Sequence, residues 1–190
     1  GSARRHPAIL FFHGNGETAR DYDPVAPSFL GLPATFAAAE YRGYGPSDGE
    51  PGFDVLAGDS HRALDAVLAL AAEGGGGPVV VMGRSLGSAP AIELAATRDE
   101  VRGLVVESGF SRVVPLLERL GVPAARLGIT EEHGHRPEAA IAAVPRPTLL
   151  VHAENDAIIP IEDAERLARA SADPGVKLVR VAGAGHNDVM

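Results

Sequence analysis

Short apolar runs alternate along the chain with longer segments in which apolar residues return at helical spacing. The runs are AILFF (8–12), ATFAAAE (34–40), PVVVM (78–82), GLVVES (103–108), TLLVHA (148–153) and KLVRVAG (177–183). Most are continuously apolar and do not alternate, the pattern of parallel strands covered on both faces. Residues 54–74 place Leu64, Val67, Leu68 and Ala71 on one helical stripe, and the glycines at 74–77 end that helix. Residues 88–99 and 161–173 read as two further helices. This alternation predicts an α/β fold in one domain over residues 1–190. The sheet is expected to be mostly parallel, of about six strands, flanked by helices through right-handed crossovers. The stretch 109–147 is rich in Pro, Gly and short helical pieces. It is too short for a second domain and is expected to form a short cap or irregular insertion over part of a site.

Ligands of an open parallel sheet bind beyond the carboxyl ends of its strands, so the residues that follow each run hold the candidate chemistry. They are HGNGE (13–17), YRGYGPSDG (41–49), GRSLG (83–87), ENDAIIP (154–160) and AGHND (184–188). The pentapeptide Gly83-Arg84-Ser85-Leu86-Gly87 fits G-x-S-x-G, a strained strand-to-helix turn that exposes a serine hydroxyl. The N-terminus of the following helix favours negative charge developing there. A chain with 23 glycines in 190 residues makes the pentapeptide moderate evidence alone, and an ordinary helix-capping serine is the competing reading. Its place between a strongly apolar run and a helical segment strengthens it. A serine also needs a base, and the base needs a partner that sets its tautomer. His186 follows the last strand, Asp156 follows the one before, and the order Ser85, Asp156, His186 is that of hydrolases built on this turn.

With these motifs on the page, FFHGNGE, EYRGYGPSDG, GRSLGSAP, HAENDAIIP and GAGHND together resemble the α/β-hydrolase superfamily, in particular its small bacterial serine hydrolases, over residues 8–188. The resemblance implies a reduced α/β-hydrolase fold with Ser85 as nucleophile, His186 as base and Asp156 as orienting acid. It also implies an oxyanion hole from the Asn15 and Leu86 amides, with His13, Gly14, Gly16 and Arg84 on the substrate side. The expected reaction is hydrolysis of carboxylic esters or related acyl compounds through an acyl-enzyme, with no metal and no organic cofactor. The expected partner is a small-molecule acyl substrate, and the short 109–147 cover implies short acyl chains of about two to six carbons. Thioesterase, depalmitoylase-like and peptidase chemistry stay open, as does a non-catalytic binding module on the same fold. The acid is contested by Glu107, because the family sometimes carries its acid after that strand, and by Glu154, two residues from Asp156. Two strands that usually precede HGNG and a helix that usually follows the histidine have no counterpart. A partner chain, and so a homo-oligomer, is one way the sheet edge is expected to be covered. The leading Gly1-Ser2 reads as a cloning scar, with room for an upstream segment.

Other histidines invite other readings. His13 competes as a base but reads as packing around the loop that holds Asn15. His133 and His135 with Glu131 and Glu132 suggest a metal site, although surface or lid contacts account for them as well. His61 and His152 read as structural. Arg42, Tyr44 and Ser47 either line the pocket or build a turn.

Composition narrows the partners. The formal charge of −8 and the absence of a Lys/Arg cluster argue against nucleic acid and an anionic membrane surface. No apolar run approaches the length of a bilayer span, and no signal peptide is visible, so the expected location is cytoplasmic. With no cysteine, disulfides, thiolate nucleophiles and Cys-based zinc sites are excluded together.

Overall fold

All six strands lie parallel in one sheet: β1 (Ala8–Phe12), β2 (Thr35–Ala39), β3 (Val79–Arg84), β4 (Val101–Glu107), β5 (Thr148–Ala153) and β6 (Lys177–Val181), in the order β2-β1-β3-β4-β5-β6. The structure is a computed structural model that describes residues 6–30, 34–73 and 75–189. Each strand overlaps its expected run, with three boundaries shifted by two residues. β3 continues to Arg84, because Gly83 and Arg84 still find partners in Val106 and Glu107, β4 starts at Val101, and β6 ends at Val181. The chain runs outward from β1 to β2, then crosses back to β3 and proceeds the other way. The carboxyl ends of β1 and β3 are therefore the switch point where a crevice opens.

The helices are α1 (Ala26–Leu30), α2 (Phe53–Glu73), α3 (Ser88–Thr97), α4 (Val113–Arg119), α5 (Pro137–Ile141) and α6 (Ile161–Ala170). The segment 109–147 contributes α4, α5 and two 3-10 turns. Period-2 alternation sorts the sheet residues by face. Leu10, Phe12, Val79, Val81, Leu104 and Val106 pack with Leu64 and Val67 of α2, Ile92 and Leu94 of α3, and Leu167 of α6. On the opposite face Phe11 and Met82 pack with Tyr22, Val25 and Phe29. The edge strands are less covered, with Val179 of β6 46% exposed. No helix among the described residues is long and apolar enough to cross a membrane.

Helix α3 is buried almost all round, and the small residues Ala91 and Ala95 let it lie close on the sheet. Pro90 is tolerated because it sits in the first turn, where an N–H has no intrahelical partner. Two glycines permit the approach. A Cβ on Gly87 would be driven into the carbonyl oxygen of Phe12, and one on Gly83 into that of Gly87, with the Ala91 Cβ 2.8 Å away. The glycines of G-x-S-x-G are therefore packing requirements at the end of β1 as well as of β3. Gly58, exposed within α2, has open space where a Cβ would stand. Gly87→Ala should cost at least about 3 kcal/mol in urea unfolding through overpacking against backbone. Gly58→Ala should instead stabilise by about 0.5–1 kcal/mol through helix propensity. Equal effects from the two substitutions would contradict the close approach of α3.

Candidate active site

Ser85 is the first residue after β3 and sits at φ 51°, in the left-handed region that a serine enters only at a cost of about 1–3 kcal/mol. The cost is met by what surrounds it. The Ser88 hydroxyl donates to the Ser85 carbonyl at 2.6 Å, and the Gly83 and Gly87 backbones close over one another. The Ser85 hydroxyl donates to His186 Nε2 at 3.1 Å, and His186 Nδ1–H donates to Asp156 Oδ2 at 2.6 Å. The other Asp156 oxygen accepts the backbone N–H groups of Ile158 at 2.9 Å and Ile159 at 2.8 Å. Burial by itself would raise the Asp156 pKa. The His186 hydrogen bond and the two amides outweigh it and hold the carboxyl below its ordinary value. An ionised Asp156 keeps the His186 proton on Nδ1 and leaves Nε2 free to accept from Ser85.

Of the three candidate acids, Asp156 is the one in contact with His186. Glu154 is exposed, and Glu107 is buried beside Arg84, whose Nε lies 3.3 Å from Glu107 Oε1 without the alignment of a hydrogen bond. His152, read from the sequence as structural, is a neighbour of this acid. Its Nε2–H donates to the Ile159 carbonyl at 2.8 Å and lies 3.5 Å from Asp156 Oδ2, closing the turn that carries the carboxylate. Its position one residue before the end of β5 was the only signal in the chain.

A cavity of about 530 Å³ opens over Ser85 and His186. Asn15, Leu86 and Arg84 line it, whereas His13, Gly14 and Gly16 do not. His13 is fully buried, with Nε2 3.0 Å from Glu40 Oε1 and Nδ1 2.9 Å from the Gly14 carbonyl, so the substrate-side position expected of it is corrected to a place behind the cavity wall. The Gly14 N–H is already held by Glu17 Oε2 at 2.6 Å, and the Asn15 side chain accepts from the Tyr44 hydroxyl at 2.6 Å. Arg84 borders the cavity but spends its guanidinium on protein groups: Glu17, the His186 carbonyl and Asn187. The apolar wall comes from Phe53 and Leu56 of α2, Phe110, Leu116 and Leu117 of the 109–147 segment, and Ile159.

Most of the remaining candidates are tied up locally, while His135 Nε2 is buried without a hydrogen-bond partner among the described residues. Glu131 accepts the Val113 N–H at 2.9 Å at the start of α4, His133 Nδ1 accepts the Thr130 N–H at 3.0 Å, and His61 pairs with Glu93 at 3.2 Å. Among the described residues, no group of three or more His, Asp or Glu is placed to hold a metal ion. Arg42 and Tyr44 line the cavity, Arg42 paired with Asp59 at 2.5 Å, while Ser47 belongs to the turn that closes on the Tyr44 carbonyl.

Residues 3–131 match the family described as serine aminopeptidase, S33, and residues 128–190 match the family described as TAP-like protein. The chain belongs to the serine aminopeptidase S33 family, among the α/β hydrolases. An uncharacterized protein of Mycobacterium tuberculosis is 33% identical over 185 residues, 96% of this chain and 63% of that protein. Human alpha/beta hydrolase domain-containing protein 17B is 30% identical over 188 residues, 95% of this chain and 60% of that protein. The chain thus spans about three-fifths of the length of the curated relatives it matches. A monoacylglycerol lipase of Paleococcus ferrophilus shares the fold with a TM-score of 0.73 at 20% identity, over 95% of this chain and 86% of that one.

One group beneath Ser85 carries a pH dependence of its own. Burial pushes the Glu107 carboxyl up to about 7 from its ordinary 4.5, although Arg84 pulls the other way. Between those two values the folded state binds more protons than the unfolded chain, so stability falls as pH rises through that window. The total is on the order of 3 kcal/mol. Glu107→Gln removes the titration. Its stability relative to wild type, measured by urea unfolding, should rise by about that amount from pH 5 to pH 8. A difference that stays constant with pH would show that Glu107 does not ionise in this window.

Proposed function

We propose that this chain is a serine hydrolase acting on carboxylic esters or related acyl compounds. The observation that carries the reading is the continuous hydrogen-bonded series Ser85–His186–Asp156, opening onto a cavity with an apolar wall. Ser85 Oγ attacks the acyl carbonyl while His186 Nε2 takes its proton, and Asp156 stabilises the imidazolium without accepting the proton itself. The Asn15 and Leu86 amides receive the oxyanion. The Gly14 amide is committed to Glu17, which favours its neighbour Asn15 for that task. His186 then protonates the leaving group, and an acyl-Ser85 ester remains. Water, deprotonated by His186, releases the acid and restores the serine.

The cavity also bears on the acyl group. Its two carboxylates are both occupied, Glu17 by Arg84, the Gly14 amide and the Tyr22 hydroxyl, and Asp59 by Arg42 and Arg62. A substrate with a free α-amino group would find no unpaired counter-charge there. Neutral acyl substrates with an apolar chain suit the wall of Phe53, Phe110 and Leu117 better than amino-terminal peptides do.

A fluorophosphonate probe should label wild type at Ser85 and leave Ser85→Ala unlabelled, and wild type should hydrolyse p-nitrophenyl butyrate. Asp156→Asn should fold and lose about 10⁴ in kcat, as expected when the tautomer is lost. Glu107→Gln and Glu154→Gln should stay within about tenfold of wild type. More than a few per cent of wild-type kcat in Ser85→Ala would refute the nucleophile assignment. A crippling effect of Glu107→Gln with an active Asp156→Asn would move the acid to Glu107.

A further inference from the structure

Arg84 stands next to Ser85, and its guanidinium is nearly buried, with 8% of the side chain exposed. It touches three separate segments. Nη1 donates to Glu17 Oε1 in the loop after β1. Nη2 donates to the His186 carbonyl at 3.0 Å and to Asn187 Oδ1 at 2.8 Å in the loop after β6. Nε lies 3.3 Å from Glu107 at the end of β4. Glu17 extends the connection, because its other oxygen accepts the Gly14 N–H at 2.6 Å and the Tyr22 hydroxyl at 2.7 Å. The Gly14 amide is thereby turned into the protein, one residue before the Asn15 amide.

We infer that Arg84 is a positioning residue that sets the loop carrying Asn15 and the loop carrying His186 at a fixed separation about Ser85. The inference rests on the proposed roles of those three residues. The chemistry of the side chain supports it. A planar guanidinium presents donors in several fixed directions at once, which a lysine ammonium on a flexible stem cannot do. Neither loop belongs to a helix or strand, and β1 and β6 lie at different places in the sheet order, so no backbone ladder links the two loops directly. The base and the oxyanion donor must keep their places to well under an ångström, since a 1 Å misplacement costs on the order of 100-fold in rate.

The test compares Arg84→Lys, Arg84→Met, Glu17→Gln and Asn187→Ala with wild type on p-nitrophenyl butyrate, with melting temperatures and fluorophosphonate labelling rates for each. Arg84→Lys and Arg84→Met should lose about 10- to 100-fold in kcat while KM stays within about threefold. Labelling rates should fall in parallel. The Glu17→Gln/Arg84→Lys double variant should lose no more than the worse single one, as expected when both act through the same contact. If Arg84→Met does not fold, Arg84→Lys and Asn187→Ala decide. The exposed Asn187 removes one arm alone, and its loss should lower kcat by about 3- to 10-fold without raising KM. Wild-type kcat in Arg84→Lys, losses confined to KM, or additive losses in the double variant would overturn the inference. Failure of the serine-hydrolase reading looks different: wild type itself fails to label or to hydrolyse the ester, and the positioning role falls with it.

Discussion

The close approach of α3 to the carboxyl ends of β1 and β3 is the constraint on which the site depends. Backbone meets backbone at Gly83 and Gly87, without room for a methyl group, and the turn between them leaves Ser85 at φ 51°. A wider turn would let the serine relax into an ordinary helical conformation and point its hydroxyl elsewhere. The packing of Ile92, Leu94 and Ala95 against the sheet supplies the burial that holds the strained residue in place. Core packing and the placement of the Ser85 hydroxyl are thus two consequences of one contact.

Charge is the second organising element. Arg84 and Glu107 are buried, with the partly exposed Glu17 at the cavity edge, and among buried groups an unpaired charge is expensive and a paired one is directional. Arg84 has more donors than Glu17 alone can use, and the surplus goes to the His186 carbonyl and Asn187. Glu107, left without a hydrogen bond, holds its proton to near neutrality. Asp156 has the opposite surroundings, two amides and an imidazole N–H, and stays ionised. Two buried carboxyl groups in one small region therefore differ in protonation because their hydrogen-bond donors differ.

The 109–147 segment shows how an α/β hydrolase gains a pocket without a large cap. Helix α4 lays Leu116 and Leu117 along the cavity, and Glu131 accepts the first N–H groups of that helix from the following turn. The wall is thus made of a short helix whose end is satisfied by its own segment, independently of the strand order beneath.

The six strands and the three long helices were legible in the sequence, because continuous Val, Leu and Ile runs and 3.6-residue spacing are local signals of burial. So were Ser85, Asp156 and His186 as candidates, since each follows a strand end and the strand ends of a parallel sheet converge. Other features were decided by tertiary structure. Whether Glu107, Glu154 or Asp156 meets His186 depends on where β4 and β5 stand in the sheet, which no local pattern encodes. The family resemblance put His13 on the substrate side, yet the Tyr41 ring and the Glu40 carboxylate pack over it and it is fully buried. Arg84 takes its partners from loops 67 and 102 residues away in sequence, at Glu17 and His186, and His152 takes its own from the turn that carries Asp156. Side chains that act through contacts between distant loops leave no periodicity in the chain, because their partners are brought together only when the sheet is assembled.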